Sequence, residues 1–281
     1  KDIHMPLFDR SHKPLTLTPA GKIFITNILQ MKELENNLTR SIQDLDNLES
    51  GELRLAGTQY LNSHVIPAAI DQYIAATQGL TIPSRGKFGK TNDLLKYGLV
   101  DMVLHCGEYD SSKYRGIPFF RDHLFLAVPR KYISAPPLLE KAIVQGTSKD
   151  DFLTNPKPKV PLEYFSNVPF LLLTNTNNLR VRALAICHEN QFTPNIRFQA
   201  EQLETAYYLA AHGLGATFIS DVMIREHHFP NLVFYPIDSP VAVRIYHAVI
   251  HKHSYLSRHM ETFIDLARKT WKGKSNYCID D

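Results

Sequence analysis

The stretch Leu7–Gly21 reads LFDRSHKPLTLTPAG, and its last four residues open a helix. Thr18 is a good N-cap, and Pro19 suits the first helical position, where no backbone N–H is needed. No further proline occurs before Ser50, and the next glycine is Gly51. This predicts a helix over residues 18–50, about 30 residues and on the order of 45 Å long. Along it Phe24, Ile28, Met31, Leu38, Ile42 and Leu45 recur in alternating three- and four-residue steps, interrupted once at Glu35. A mean spacing of about 3.5 is that of a coiled-coil seam. Leu34 and Leu48 widen the stripe, while Lys32, Glu33, Asn36, Arg40 and Asp44 face away from it. The helix either pairs with another copy or packs on its own domain. Its position ahead of the domain favours the pair.

Upstream, Lys1–Leu17 is polar and turn-rich, opens on lysine and has no apolar segment of signal-peptide length. The chain therefore reads as starting inside a larger protein. Downstream, short apolar runs alternate with helical patterns. ELRLAG (Glu52–Gly57), VDMVL (Val100–Leu104) and FLAV (Phe125–Val128) predict strands, as does Leu80–Ile82. Helices are expected at Val65–Ala76 and Asn92–Tyr97. Ser134–Pro161, with five prolines, interrupts this pattern as an insertion or mobile excursion. A second alternation follows, with strands at Phe170–Leu173, Ile196–Gln199, Ala216–Ser220, Leu232–Pro236 and Val241–Ile250. Its helices are Asn178–Glu189, Leu203–His212 and a closing Tyr255–Trp271. Strand–helix alternation of this kind predicts α/β lobes, two of them, with a cleft between.

At 281 residues the chain has room for about two domains. With 44% hydrophobic and 21% charged residues it is an ordinary globular composition, which excludes disordered and fibrous classes. No run approaches the roughly 18 apolar residues of a membrane span. Three cysteines without a CxxC pair suit a reducing cytoplasm and argue against a structural zinc site. The net charge of +3 is too small to show a nucleic-acid partner.

The order of several motifs resembles LysR-type transcriptional regulators. Leu7–Gly21 is similar to the end of that family's winged helix-turn-helix, running through the wing into the linker helix. Gly51–Gly57 resembles the first strand of its effector-binding domain, and Ile66-Pro67 with Ile70 and Tyr73 its first helix. Leu94-Leu95-x-x-Gly98-x-x-Asp101 and Ala211-x-Gly213-Leu214-Gly215-Ala216 match further elements. The resemblance runs from Leu7 to Trp271. It implies a periplasmic-binding-protein-like bilobed α/β fold behind a linker helix. Residues 1–17 would be the remnant of the DNA-binding domain and 18–50 the dimerisation helix. Subdomain I would comprise 51–133 with 240–281, and subdomain II 134–239. The recognition helix would lie before Lys1. Two departures stand out: the Ser134–Pro161 segment is longer than the usual connection, and Lys87-Phe88 replaces the usual small hydroxyl of the first-lobe pocket loop.

Ligands of open α/β sheets sit at the carboxyl ends of strands, where helix N-termini offer free N–H groups. In the first lobe that selects Thr58, Gln59 and Tyr60, then Lys87 and Phe88, then His105, with Cys106 more a core residue. In the second it selects Thr174, Asn175 and Asn177 after the strand LLL, and Gln199 with Gln202. Asn175 and Asn177 either cap the following helix or face the ligand, and His105 either touches ligand or sits satisfied in the core. Helix termini plus Lys87 would favour a carboxylate-bearing small molecule. His247, His251 and His253 share one strand face but have no acidic or cysteine partner spaced with them, so no metal site is read there. His227-His228 reads as a surface turn and the basic run from Arg268 to Lys274 as a solvated helix end. There is no GxSxG, P-loop, HExxH or GxGxxG motif. No cofactor is implied.

The expected function is thus a cytoplasmic, homodimeric or homotetrameric transcription factor without enzymatic activity. It would bind a small effector between its lobes and double-stranded DNA through the upstream domain, with no membrane partner. The alternative is a freestanding bilobed solute-binding protein, or an enzyme on the same fold.

Overall fold

The computed structural model describes residues 5–11, 13–46, 52–77, 91–133, 136–144, 159–175 and 177–271. The expected strand at Leu80–Ile82, with Lys87 and Phe88, lies outside these. The two-residue strands β1 (Phe8–Asp9) and β2 (Thr16–Leu17) form a small antiparallel ribbon ahead of helix α1 (Pro19–Gln43). Thr18 caps α1 as expected, its hydroxyl accepting the Gly21 N–H at 3.0 Å. The helix is shorter than its residue pattern predicts. It ends at Gln43 and tightens into a 3-10 turn at Asp44–Asp46. There the buried Asp44 carboxylate accepts from the Tyr255 hydroxyl at 2.9 Å and the Arg258 backbone N–H at 3.0 Å.

The apolar row of α1 (Phe24, Ile28, Met31, Leu38, Ile42, Leu45) is exposed throughout, Leu45 at 78%. It is the polar face that packs on the body of the chain. Arg40 reaches Asp101 at 2.7 Å and the Ser254 hydroxyl at 2.9 Å, and Asn37 accepts from the Tyr255 N–H at 2.9 Å. An amphipathic helix ordinarily turns its apolar face, not its polar one, to the body it packs on.

The main sheet begins with β3 (Leu55–Gly57) parallel to β4 (Met102–His105). The long β5 (Tyr114–Pro129) pairs antiparallel through its first half with β10 (Val243–His251), which also borders β4. The second half of β5 pairs with β8 (Thr217–Ser220) and β9 (Leu232–Pro236). Beside β8, β6 (Pro169–Leu173) pairs parallel with β7 (Asn195–Ala200), tied on by the Phe170–Ala216 bridge. Of β5 only Phe125–Val128 is expected as a strand from the sequence. Upstream, a bulge opposite Tyr246/His247 accommodates Pro118 and breaks the alternation.

Besides a small core of Ala56, Leu95, Val100, Val103 and Val249, two large hydrophobic cores pack on this sheet among the described residues. One packs α2 (Pro67–Ala76) and α8 (Arg258–Trp271) around Tyr73, Phe119, Phe120, Phe263 and Trp271. The other packs α5 (Asn178–Glu189) and α6 (Leu203–Ala211) around Phe165, Phe170, Tyr207, Phe218 and Tyr235. A short α4 (Pro136–Lys141) also borders the second core, and Ile143 bridges Phe234 there. Ala142, Ile143 and Val160 are buried in that core, so the ends of the proline-rich excursion are packed structure. Two helices end alike: α3 (Thr91–Lys96) at Gly98 and α6 at Gly213, both with positive φ, +61° and +82°. In each case the following N–H turns back to a carbonyl of the last turn, Leu99 to Leu94 at 2.9 Å and Leu214 to Leu209 at 3.1 Å. This Schellman-type cap is why both motifs carry glycine at those positions.

Candidate functional site

A cavity of about 270 Å³ lies where the two cores meet. Thr58, Gln59, Tyr60 and His64 line it from the turn after β3, and His105 and Cys106 from the end of β4. Facing them are Asn177, Asn178 and Leu179 at the start of α5 and Gln202, Leu203 and Glu204 at the start of α6. Arg244 and Tyr246 of β10 complete the wall. The turn that presents Tyr60 and His64 is a π-helical one, Leu61–Val65, steadied by the Asn62 N–H to Thr58 carbonyl bond at 3.0 Å.

A buried ion pair sits beneath the cavity. Arg244 and Asp122 face each other across β10 and β5 in direct register. Arg244 Nε donates to Asp122 Oδ1 at 2.7 Å, and Nη2 reaches Oδ2. The Tyr60 hydroxyl donates to Oδ2 at 2.7 Å and the Ser220 hydroxyl at 2.9 Å. The guanidinium lies over the Tyr60 ring at 5.0 Å and the Tyr246 ring at 5.4 Å. Burial opposes the Arg244 charge, but Asp122 more than offsets it and holds the pKa well above the ordinary arginine value. Burial and the nearby Asp122 likewise raise the Tyr60 phenol. Burial lowers the His105 imidazole and raises the Cys106 thiol, which makes the thiol a poor nucleophile.

The structure brings Thr58, Gln59, Tyr60, His105, Asn177 and Gln202 together on one cavity. Asn177 both lines it and caps α5, its Oδ1 accepting the Leu179 N–H at 2.9 Å. Thr174, Asn175 and Gln199 do not reach it. Thr174 is spent on the turn, its N–H bonded to Ala200 and its carbonyl to the Asn177 N–H, both at 3.0 Å, while Asn175 and Gln199 face solvent. His251 is a half-buried residue whose Nε2 lies 2.9 Å from the Leu95 carbonyl.

The LysR substrate binding domain model matches residues 46–272. The chain belongs to the LysR-type transcriptional regulators. It is 27% identical over 274 residues to the uncharacterized HTH-type transcriptional regulator YcgK of Bacillus subtilis, covering 96% of this chain and 83% of YcgK. Its fold is similar to that of a full-length OxyR variant from Pseudomonas aeruginosa, with TM-score 0.64 at 19% identity, covering 93% of this chain and 82% of that one. It is also similar to the effector-binding domain of QuiR in complex with shikimate, with TM-score 0.60 at 16% identity, covering 78% and 96%. The fold is thus the bilobed, periplasmic-binding-protein-like α/β architecture of LysR effector-binding domains.

Several residues of this LysR-type site are absent from the sequence-based set: His64, Asn178, Glu204, Arg244 and Tyr246. Arg244 had a legible signal. In VAVRIYHAVI it occupies the apolar phase with Tyr246, Ala248 and Ile250, and a charge on a buried strand face implies a buried partner. Asp122 falls on the matching phase of β5 with Phe120 and Leu124. His64 had no such signal, because a π-helical turn has no sequence periodicity to read. His227 is half buried, where a surface turn was expected, and only His228 is exposed.

Proposed function

We propose that this LysR-type regulator binds a small, carboxylate-bearing effector in the cavity between its two cores. The observation that carries this is the N-terminus of the 12-residue helix α5 opening on the cavity opposite Thr58 and Gln59 and beside Gln202. Free N–H groups and the helix dipole favour an anion there. Thr58, Gln59 and Gln202 would hydrogen-bond the rest of the molecule. The complex of the QuiR effector-binding domain with shikimate supports a small organic ligand of this kind. Regulation is favoured over turnover because the chain matches the LysR substrate binding domain and its relative YcgK is named a transcriptional regulator.

The lobes would follow residues 51–133 with 240–281 and residues 134–239, except that Leu124–Val128 and Ile133 pack in the second core, so the boundary falls within β5, the element across which they would shift. Effector binding to one arrangement of the lobes in preference to the other would change oligomer geometry. The exposed apolar row of α1 is the face for a second copy of this chain. The β1–β2 ribbon would be the wing end of a winged helix-turn-helix through which a cytoplasmic homodimer or homotetramer meets double-stranded DNA.

A thermal-shift screen of small carboxylates against their amides tests this. A carboxylate should raise Tm where its amide does not, and Thr58→Ala with Gln59→Ala should reduce the shift. If no carboxylate stabilises the protein, or the double variant keeps the full shift, the site is misplaced.

A further inference from the structure

At one edge of the cavity, His64 and Glu204 of its lining meet His227, which does not line it. His64 comes from the π-helical turn after β3, and Glu204 from the first turn of α6. His227 directly follows α7 (Asp221–Glu226). One ligand atom of each lies within 4.8 Å of the other two, and the two imidazole rings meet edge-on with centroids 6.0 Å apart. Ligand atoms around a tetrahedral ion with bonds of about 2.0–2.1 Å are roughly 3.4 Å apart. Rotamer adjustments of about an ångström, which also draw His64 Nε2 and Glu204 Oε1 apart from 2.8 Å, would bring the set to that spacing.

The orientation of His64 points the same way. Its side chain is 6% exposed, and its Nδ1 is engaged by the Glu226 carboxylate. Its Nε2 is buried, lies 2.8 Å from Glu204 Oε1 and makes no hydrogen bond. An N–H at that nitrogen would be aimed at Glu204, yet the approach lies off the hydrogen-bonding direction. With the Nδ1–H given to Glu226, Nε2 instead presents a lone pair toward a carboxylate oxygen. For a neutral ring that contact is repulsive unless a cation is held there; the competing state is a doubly protonated ring, since burial opposes the imidazolium but Glu226 and Glu204 together raise its pKa. A carboxylate behind a histidine whose far nitrogen faces the ligand atoms is the usual support of a metal-bound imidazole.

We propose that His64, Glu204 and His227 bind one divalent transition-metal ion of the zinc type, with Glu226 fixing the His64 tautomer. Two imidazoles and one carboxylate suit zinc or cobalt and not magnesium or calcium. The fourth position is left for water or for a donor atom from the cavity, which His64 and Glu204 also line. The ion joins the two halves of the molecule. His64 is flanked by Leu61 and Val65 of one core, and Glu204 by Leu203 and Ala206 of the other.

Chelator-stripped full chain, titrated with Co2+ in the visible and with Zn2+ by calorimetry, tests the site. The expected result is one equivalent bound, with the intense visible bands of tetrahedral Co2+. Zn2+ should displace the cobalt, and Mg2+ should have no effect. Glu204 is 35% exposed, so Glu204→Gln should keep the circular-dichroism spectrum and lose the tetrahedral spectrum. His64→Ala should do the same to the spectrum, and Glu226→Gln should weaken binding roughly 10–100-fold. No stoichiometric binding by the unmutated chain overturns the proposal. So does binding that Glu204→Gln and His227→Ala both leave unchanged, since the ion would then sit on other histidines.

Discussion

Replacing Arg244 by methionine removes the guanidinium and keeps most of the side-chain volume. The Asp122 carboxylate, 0% exposed, is then left buried with the Tyr60 and Ser220 hydroxyls and, at 3.5 Å, that of Tyr246. Breaking a buried pair from one side costs about 3–5 kcal/mol, because the orphaned charge has lost its hydration as well as its partner. For a protein of this size that corresponds to a fall in Tm of roughly 6–20 °C. Asp122→Leu should cost a similar amount, since it strands Arg244, whose side chain is 7% exposed. The informative measurement is the double variant. With both charges gone, Tyr60 and Ser220 can still bond each other, their oxygens being 2.7 Å apart. The double variant should then fall short of the sum of the single losses by at least about 2 kcal/mol. Urea unfolding with a constant m-value measures all three. If the double loss equals the sum, or if Arg244→Met costs less than about 1 kcal/mol, the pair does not hold the junction of the two cores.

Ile28→Asp with Leu38→Asp should lower the sedimentation mass of the chain while keeping its circular-dichroism spectrum, because both side chains are exposed on α1 in the single chain; a monomeric unmutated chain would remove the case for pairing through that face. Asp101 has its pKa depressed; burial pushes it up, but hydrogen bonding to Arg54 and the charge of Arg40 outweigh this, so its contribution is present above the unfolded value of about 3.9 and lost as pH falls through the lower folded value. Urea midpoints followed downward from pH 5 should therefore fall more steeply for the unmutated protein than for Asp101→Asn, and parallel curves would refute the assignment. Asn177→Ala should cost about 0.5–2 kcal/mol through the lost cap of α5, and unchanged stability would show that cap to be dispensable.

Much of the fold was legible because the chain writes it locally. The Thr18-Pro19 start, the bounds of α5 and the strand Leu232–Pro236 depend on caps and periodicities within a few residues. What stayed illegible depends on distant partners. The premature end of α1 follows from Asp44 bonding residues more than 200 positions away. The first half of β5 alternates poorly because it bulges to suit β10. The short α7 follows β8 directly through its Ser220 cap, with no intervening turn residue to mark it.

The site divides along the same line. Backbone-positioned residues at strand ends and helix starts, such as Thr58, Gln59 and Asn177, follow from a general rule about α/β sheets, and they line the cavity. Thr174, Asn175 and Gln199 obey that rule equally well in sequence. They miss because one residue along a strand or turn reverses which way a side chain points. The charged members required a different inference: not where a polar residue is common, but where it is out of place. Arg244 and Asp122 each fall on the apolar phase of a strand, with opposite charges, and two such misfits in one chain call for each other. The exposed apolar row of α1 is the converse misfit, hydrophobic with no cover among the described residues, and it is the face that the proposed pairing would bury.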